Sequence, residues 1–296
     1  MNKIGFIGVG HMGGPMAANL VKAGFVVTIY DIVPALTDTL KQQGAQVANS
    51  IADVVKNADV IISMLPEGKH VLAAYLGDSG ILAHASPSTL LIDSSTIDIN
   101  SARQLHQAAM AKGLALIDAP VSGGTTGAAA ATLTFMVGGD KKNYELALPI
   151  LSKMGKKIFY AGVAGSGQAA KICNNMLLGI SMIGVSEAFH LADKLGLDAQ
   201  TFYDIASVSS GQCWSMTSYC PVPGPVPAAP SNHDYEPGFA AKMMLKDLKL
   251  AQQAAIASGA NTLLGAEASA IYNLFCTSGF DNKDFSAIYP WLSHKL

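Results

Sequence analysis

The first half of the chain alternates short, β-rich apolar runs with stretches whose apolar positions recur every three to four residues. The runs are IGFIG at 4–8, FVVTIYD at 25–31, DVIISML at 59–65, TLLIDSS at 89–95, LALIDAP at 114–120, TLTFMVGG at 132–139 and KIFYAG at 157–162. Strand runs alternating with helical patterns predict βαβ units and a parallel sheet covered on both faces. Two of the intervening helices are predicted over 50–57, where Ser50 followed by Asp53 resembles a capping box, and over 100–112. From Gly165 the strand signals stop, and 168–195, 198–207, 243–257 and 266–275 read as helix. The expectation is a doubly wound, mostly parallel α/β domain over 1–162 followed by an all-α domain over 163–296. A proline-rich segment, 208–236, interrupts the helical part; a loop of that length is usually functional or disordered.

Composition narrows the classes. The chain has 296 residues, half of them apolar, enough to bury a large core. Nineteen Lys and Arg against twenty-one Asp and Glu, with no basic run, speak against nucleic acid as a partner. Cys173, Cys213, Cys220 and Cys276 lack zinc-ligand spacing and predict neither a metal site nor a disulfide framework. No charged n-region with an apolar core precedes the first strand, and the longest apolar run, near 176–185, falls short of the ~20 residues that span a bilayer. A cytoplasmic protein without a membrane anchor is expected.

The candidate chemistry begins at KIGFIGVGHMGGPMAANL, where Gly8, Gly10 and Gly13 are spaced GxGxxG after a strand and open a helix. Such glycines permit a tight turn, approach of backbone to a pyrophosphate and close helix–strand packing. The pattern alone is also that of a glycine-rich turn. Asp31, eighteen residues after Gly13 at the end of the next strand, adds a carboxylate suited to ribose hydroxyls, and no Arg or Lys lies between Asp31 and Leu40 to receive a 2′-phosphate. NAD is thus expected over NADP. Leu65, Pro66 and Thr96 follow strands of the same sheet and are expected beside the cofactor. After DAP, Ser122, Gly123 and Gly124 offer a hydroxyl and unencumbered N–H groups to a carboxylate, although a plain glycine turn fits the same pattern. Lys171 and Asn175 stand at i and i+4 of a helix, within reach of one ligand. A lysine desolvated from a pKa of ~10.4 towards 7 or 8 can take the proton of an alcohol as hydride leaves. Lys246 and Asp247 interrupt an apolar stripe and, on pattern alone, read as a solvated face.

Taken in order, GVGHMGGPMAANL, DAPVSGG, GSGQAAKICNN and KMMLKDLKLA resemble the β-hydroxyacid dehydrogenase family over nearly the whole chain. The resemblance implies a Rossmann domain and a helical domain in a 6-phosphogluconate dehydrogenase-like architecture, oxidising 3-hydroxy acids with NAD(P). By that analogy Ser122 and Gly123 hold the substrate carboxylate, Lys171 is the acid/base, and Asn175 and Asp247 lie on the substrate side. Lys246 lies by the nicotinamide, with His11 and Met12 in the cofactor turn. SSGQCWSMTSYCPVPG is similar to the substrate loop of the family's 3-hydroxyisobutyrate branch, which forms methylmalonate semialdehyde in valine degradation, rather than that of tartronate semialdehyde reductases. Trp214 and Tyr219 would then line the pocket, with apolar surface for a methyl group and a hydroxyl for the carboxylate. Cys220 stands where the pattern has an asparagine, and reads as a small buried filler. A dehydrogenase of L-serine or another 3-hydroxy acid, or a tartronate semialdehyde reductase, is the alternative enzyme, and a non-catalytic NAD-binding sensor is the alternative of a different class. The apolar MLLGISMIG in a long helix implies a homodimer or homotetramer.

Overall fold

The structure, a computed structural model, describes residues 1–294. It divides into two compact units, Met1–Lys171 and the residues from Ile172 onward.

The first unit is built on nine strands: β1 Lys3–Ile7, β2 Val26–Tyr30, β3 Gln46–Val47, β4 Val60–Ser63, β5 Leu90–Asp93, β6 Ala115–Asp118, β7 Val121–Ser122, β8 Leu133–Gly139 and β9 Gly155–Gly162. Their order is β3-β2-β1-β4-β5-β6-β8-β7, with β9 also paired to β8. Pairing is parallel from β3 to β6, β8 runs antiparallel to β6 and β7, and β9 is parallel to β8. The chain winds outward from β1 to β3, then returns to β4 on the other side of β1. Sheets of this topology bind ligands at that reversal, beyond the carboxyl ends of the strands.

Eight helices connect the strands: α1 Gly13–Lys22, α2 Asp38–Gln42, α3 Ile51–Val55, α4 Gly68–Leu76, α5 Ile81–His84, α6 Ile99–Ala111, α7 Gly124–Ala129 and α8 Lys141–Leu151. Adjacent strand residues point to opposite faces, and the core divides accordingly. Phe6, Ile62 and Ile92 pack with Met16 and Leu20 of α1 and Ile150 of α8. Ile7, Ile61 and Leu91 pack with Tyr75 of α4 and Leu105 of α6. The sheet is therefore covered on both faces, as its near-continuous apolar strands predict. Ser50 caps α3, accepting from Asp53 N at 3.1 Å and bonding its carboxylate at 2.8 Å. Asp98 does the same for α6 through Ser101 N at 2.8 Å.

The division between units falls inside α9 Ser166–Lys194, nine residues beyond the boundary read from the sequence. The second unit continues with α10 Ala199–Ala206, α11 Trp214–Thr217, α12 Ala241–Ser258, α13 Leu263–Phe275 and α14 Ile288–Leu292. Met182, Met244, Leu248, Tyr272, Phe275 and Phe285 form its core. By length and composition α9 suffices to cross a membrane, with a mean hydropathy of 1.3 over 18 residues, although counting uninterrupted apolar runs predicts no such segment. Core helices pass the same test, and Met182, Ile183 and Phe189 of α9 are buried among side chains of the helical unit. Leu177, Ile256, Leu263 and Leu264 remain exposed on that unit.

The proline-rich segment is ordered by its own contacts. Tyr235 donates to Pro221 O at 2.8 Å, and Ser231 donates to Cys220 O at 2.7 Å. Cys220 is fully buried, and burial pushes its thiol up to about 11, which suits a filler and not a reactive group.

Candidate active site

The turn after β1 has the geometry that its glycines predict. Gly8 has φ +88°, and a Cβ there would lie 2.4 Å from Met64 O; one at Gly13 would lie 1.9 Å from Gly8 O. Above Gly10 there is nothing within 4 Å of a Cβ position. Met12 is the N-cap of α1 without a side-chain cap, and the first turn holds no acid. Gly14 N donates to Gly10 O at 2.8 Å and Pro15 carries no N–H, so this end of α1 suits a pyrophosphate through its positive potential and the bare backbone beside Gly10. His11 is exposed at this turn and Met12 half-buried. Asp31 also braces the turn, since Oδ2 accepts from Val9 N and Oδ1 from Val33 N, both at 2.9 Å. Each oxygen keeps a lone pair for a ribose hydroxyl.

Leu65, Pro66 and Thr96 lie past the ends of β4 and β5. Leu65 N donates to Ser95 Oγ at 2.8 Å, and Ser95 Oγ donates to Asp93 Oδ1 at 2.6 Å. Ser63 also donates to Asp93 Oδ1, at 2.7 Å, and bonds Tyr75 OH at 2.8 Å. Past β6, Ser122 ends the two-residue β7, Gly123 has φ +135°, and α7 begins at Gly124 with no side-chain cap. The Ser122 hydroxyl and the backbone of Gly123 and Gly124 thus lie together at the start of α7.

Lys171 sits in the second turn of α9 and is 6% exposed. Asn175 follows one turn later, 1% exposed, and its Nδ2 donates to Asp247 Oδ2 on α12. The other Asp247 oxygen lies 3.5 Å from Lys246 Nζ. Asp247 is 3% exposed, so the solvated face read from pattern is replaced by a buried carboxylate that holds the Asn175 amide and pairs with Lys246. Trp214 is half-exposed and stacks on Tyr219 with centroids 4.8 Å apart. The hydroxyl expected of Tyr219 for a carboxylate requires correction: it donates to Asp284 Oδ2 at 2.8 Å. Asp284 is fully buried and also accepts from Gly238 N, Phe239 N, Ser286 N and Ser286 Oγ, so the phenol proton is committed inside the helical unit. Among the described residues no cluster of three or more His, Cys, Asp or Glu could hold a metal.

Comparison with known proteins resolves the family. Residues 3–162 match the NAD binding domain of 6-phosphogluconate dehydrogenase, and 165–292 match the NAD-binding domain of NADP-dependent 3-hydroxyisobutyrate dehydrogenase. The chain belongs to the β-hydroxyacid dehydrogenase family. Among its relatives, the NAD-dependent L-serine dehydrogenase of Pseudomonas aeruginosa is 50% identical over 97% of each chain. A mitochondrial 3-hydroxyisobutyrate dehydrogenase of Rattus norvegicus is 46% identical over 98% of this chain and 86% of its own. The solved 3-hydroxyisobutyrate dehydrogenase of Mycobacterium tuberculosis, with L-serine, superposes with a TM-score of 0.94 at 48% identity over 99% of each chain. This β-hydroxyacid dehydrogenase binds NAD in its first unit, and the bare Gly10 and uncapped α1 fit that cofactor.

In this dehydrogenase the buried polar groups beneath the cofactor crevice escape a reading of the sequence. Asp93 and Asp118 pair in register at the ends of β5 and β6, with 1% exposure each. The available signal was an apolar strand closing on a carboxylate, since a buried charge needs partners. Burial pushes the Asp93 carboxyl up to about 6, against hydrogen bonds from Ser95 and Ser63 that lower it, and neighbouring Asp118 adds to the rise. A carboxyl raised in the folded state stabilises the fold below its unfolded value of 3.8, and that contribution is lost as pH rises through about 6. Above that pH the ionised group costs on the order of 3 kcal/mol relative to the neutral form. Asp93→Asn keeps an acceptor for Ser63 and Ser95 without the charge. Its Tm relative to wild type is expected to rise by several degrees between about pH 5 and about pH 7.5; a constant difference between the two scans contradicts the buried charge.

Proposed function

We propose that this protein oxidises 3-hydroxyisobutyrate to methylmalonate semialdehyde, with NAD as hydride acceptor and Lys171 as acid/base. The observation that carries the reading is a lysine only 6% exposed, on the helix that starts in the nucleotide-binding unit. A group that takes the hydroxyl proton must be neutral and sheltered from bulk water. Ser122 Oγ and the N–H groups of Gly123 and Gly124 bind the substrate carboxylate, and the hydroxyl faces Lys171 Nζ. The bound nicotinamide supplies the site for the hydride. As the C–H electron pair leaves the hydroxymethyl carbon, the O–H proton passes to Lys171 and the carbon–oxygen bond becomes a carbonyl. Asn175, held by Asp247, orients the substrate without adding charge.

The half-exposed indole of Trp214, fixed by stacking on Tyr219, supports a methyl group at the 2-position. L-Serine, which carries an ammonium there, is the second reading, favoured by the name of the Pseudomonas aeruginosa relative and by the ligand named with the Mycobacterium tuberculosis structure. Initial rates with NAD on 3-hydroxyisobutyrate, L-serine, D-glycerate and 3-hydroxypropionate separate them. The expected outcome is a kcat/KM for 3-hydroxyisobutyrate at least about tenfold above that for L-serine, the range that one apolar contact confers. The reverse order assigns the enzyme to L-serine and leaves the Lys171 chemistry in place.

A further inference from the structure

We propose that Gln168 is a positioning residue that ties the catalytic helix α9 to the cofactor-side loop at the end of β5. The inference rests on Lys171 acting as the base. Gln168 is fully buried, three residues before Lys171 on the same helix. Its Nε2 donates to Ser95 O at 2.7 Å, and its Oε1 accepts from Ile97 N at 3.1 Å. One amide thus grips the backbone on both sides of Thr96, in the manner of a neighbouring strand. Only one orientation satisfies both bonds, because the carbonyl needs a donor and the N–H an acceptor.

The helix end is held from a second direction. Asp118 Oδ2 accepts from Gln168 N at 3.0 Å and Asp118 Oδ1 from Gly165 N at 2.8 Å, while His106 Nε2 lies 2.9 Å from Oδ1. No slack surrounds this contact. A Cβ at Gly138 would sit 2.6 Å from both Asp118 Oδ1 and Gly167 N, and one at Gly167 would sit 2.3 Å from Met136 O. The first turn of α9 is therefore fixed against β5, β6 and β8 together. Ser95, which Gln168 holds, also receives Leu65 N, so both loops expected beside the nicotinamide share one hydrogen-bonded frame with the helix of Lys171.

Removing this amide alone takes its bonds from the buried Ser95 O and Ile97 N and so costs stability as well, and those bonds are directional. Their consequence is geometric: they set where Lys171 Nζ stands relative to a ring bound past β4 and β5. Small displacements of a catalytic group cost rate far more than they cost binding.

The test uses Gln168→Met, which removes both bonds at similar length, and Gln168→Glu, which keeps an acceptor but in its ionised form has no donor for Ser95 O. Steady-state rates, NAD Kd and the isotope effect on kcat from substrate deuterated at the hydroxymethyl carbon are measured beside Lys171→Ala. The expected result is a kcat about 10- to 100-fold lower in both variants, an NAD Kd within about threefold of wild type, and a larger isotope effect as hydride transfer becomes limiting. Wild-type kcat in either folded variant overturns the proposal, as does a proportionate loss of NAD affinity, which would confine the amide to the cofactor loop. Failure of both variants to fold assigns Gln168 to the fold alone and overturns it too. A nearly full rate in Lys171→Ala sinks the lysine reading itself; an inactive Lys171→Ala beside unimpaired Gln168 variants removes only the positioning role.

Discussion

Lys171→Ala is expected to lower kcat by about 10²- to 10⁴-fold, the range supplied by a positioned acid or base, while NAD affinity stays within about threefold of wild type. Without the amine, the hydroxyl proton has no acceptor as hydride departs, and the transition state must carry a protonated carbonyl. The groups that suit the nucleotide, Gly8 to Gly13 and Asp31, are placed by β1, α1 and β2 and not by α9. Calorimetric titration with NAD and steady-state rates on the same preparation separate the two effects. Loss of affinity in step with kcat would show that the substitution had disturbed the fold of the first unit.

The second large effect concerns the choice of dinucleotide. The wild-type enzyme is expected to prefer NAD to NADP by roughly a thousandfold in kcat/KM. Charges about 4 Å apart at an effective dielectric near 20 repel by about 4 kcal/mol per unit charge, and a 2′-phosphate would meet the Asp31 carboxylate at the end of β2. Asp31→Ala reduces that ratio by about 10- to 100-fold. Asp31 also ties Val9 N and Val33 N, so the same substitution weakens NAD itself by about tenfold through the loosened glycine turn. A variant that gains NADP activity with NAD affinity unchanged would show that these backbone bonds do not shape the turn.

What the sequence revealed follows from the range of the interactions involved. The central strands, such as Val60–Ser63 and Leu90–Asp93, announced themselves because a parallel sheet covered on both faces buries every position there. The two-residue β3 and β7 carry no period to detect. Ser50 was legible because its partner Asp53 lies three residues on. Asp118 and Gln168 were not, because they meet 50 residues apart, and Gln168 reaches Ser95 across 73. The Tyr219 hydroxyl failed as a substrate donor for the same reason: its acceptor, Asp284, lies 65 residues further along. Gly8, Gly10, Gly13 and Ser122 stand at strand ends and helix starts, which the local sequence announces.

The central claim is direct hydride transfer from the hydroxymethyl carbon of a 3-hydroxy acid to NAD. It is tested by supplying 3-hydroxyisobutyrate deuterated at that carbon and analysing the reduced nicotinamide by mass spectrometry while following the rate. Direct transfer puts one deuterium in each reduced nicotinamide formed and gives a primary isotope effect of about 2 or more on kcat/KM whenever chemistry limits the rate. Reduced nicotinamide without the label, or no reduction of NAD by any of the four hydroxy acids, would contradict it.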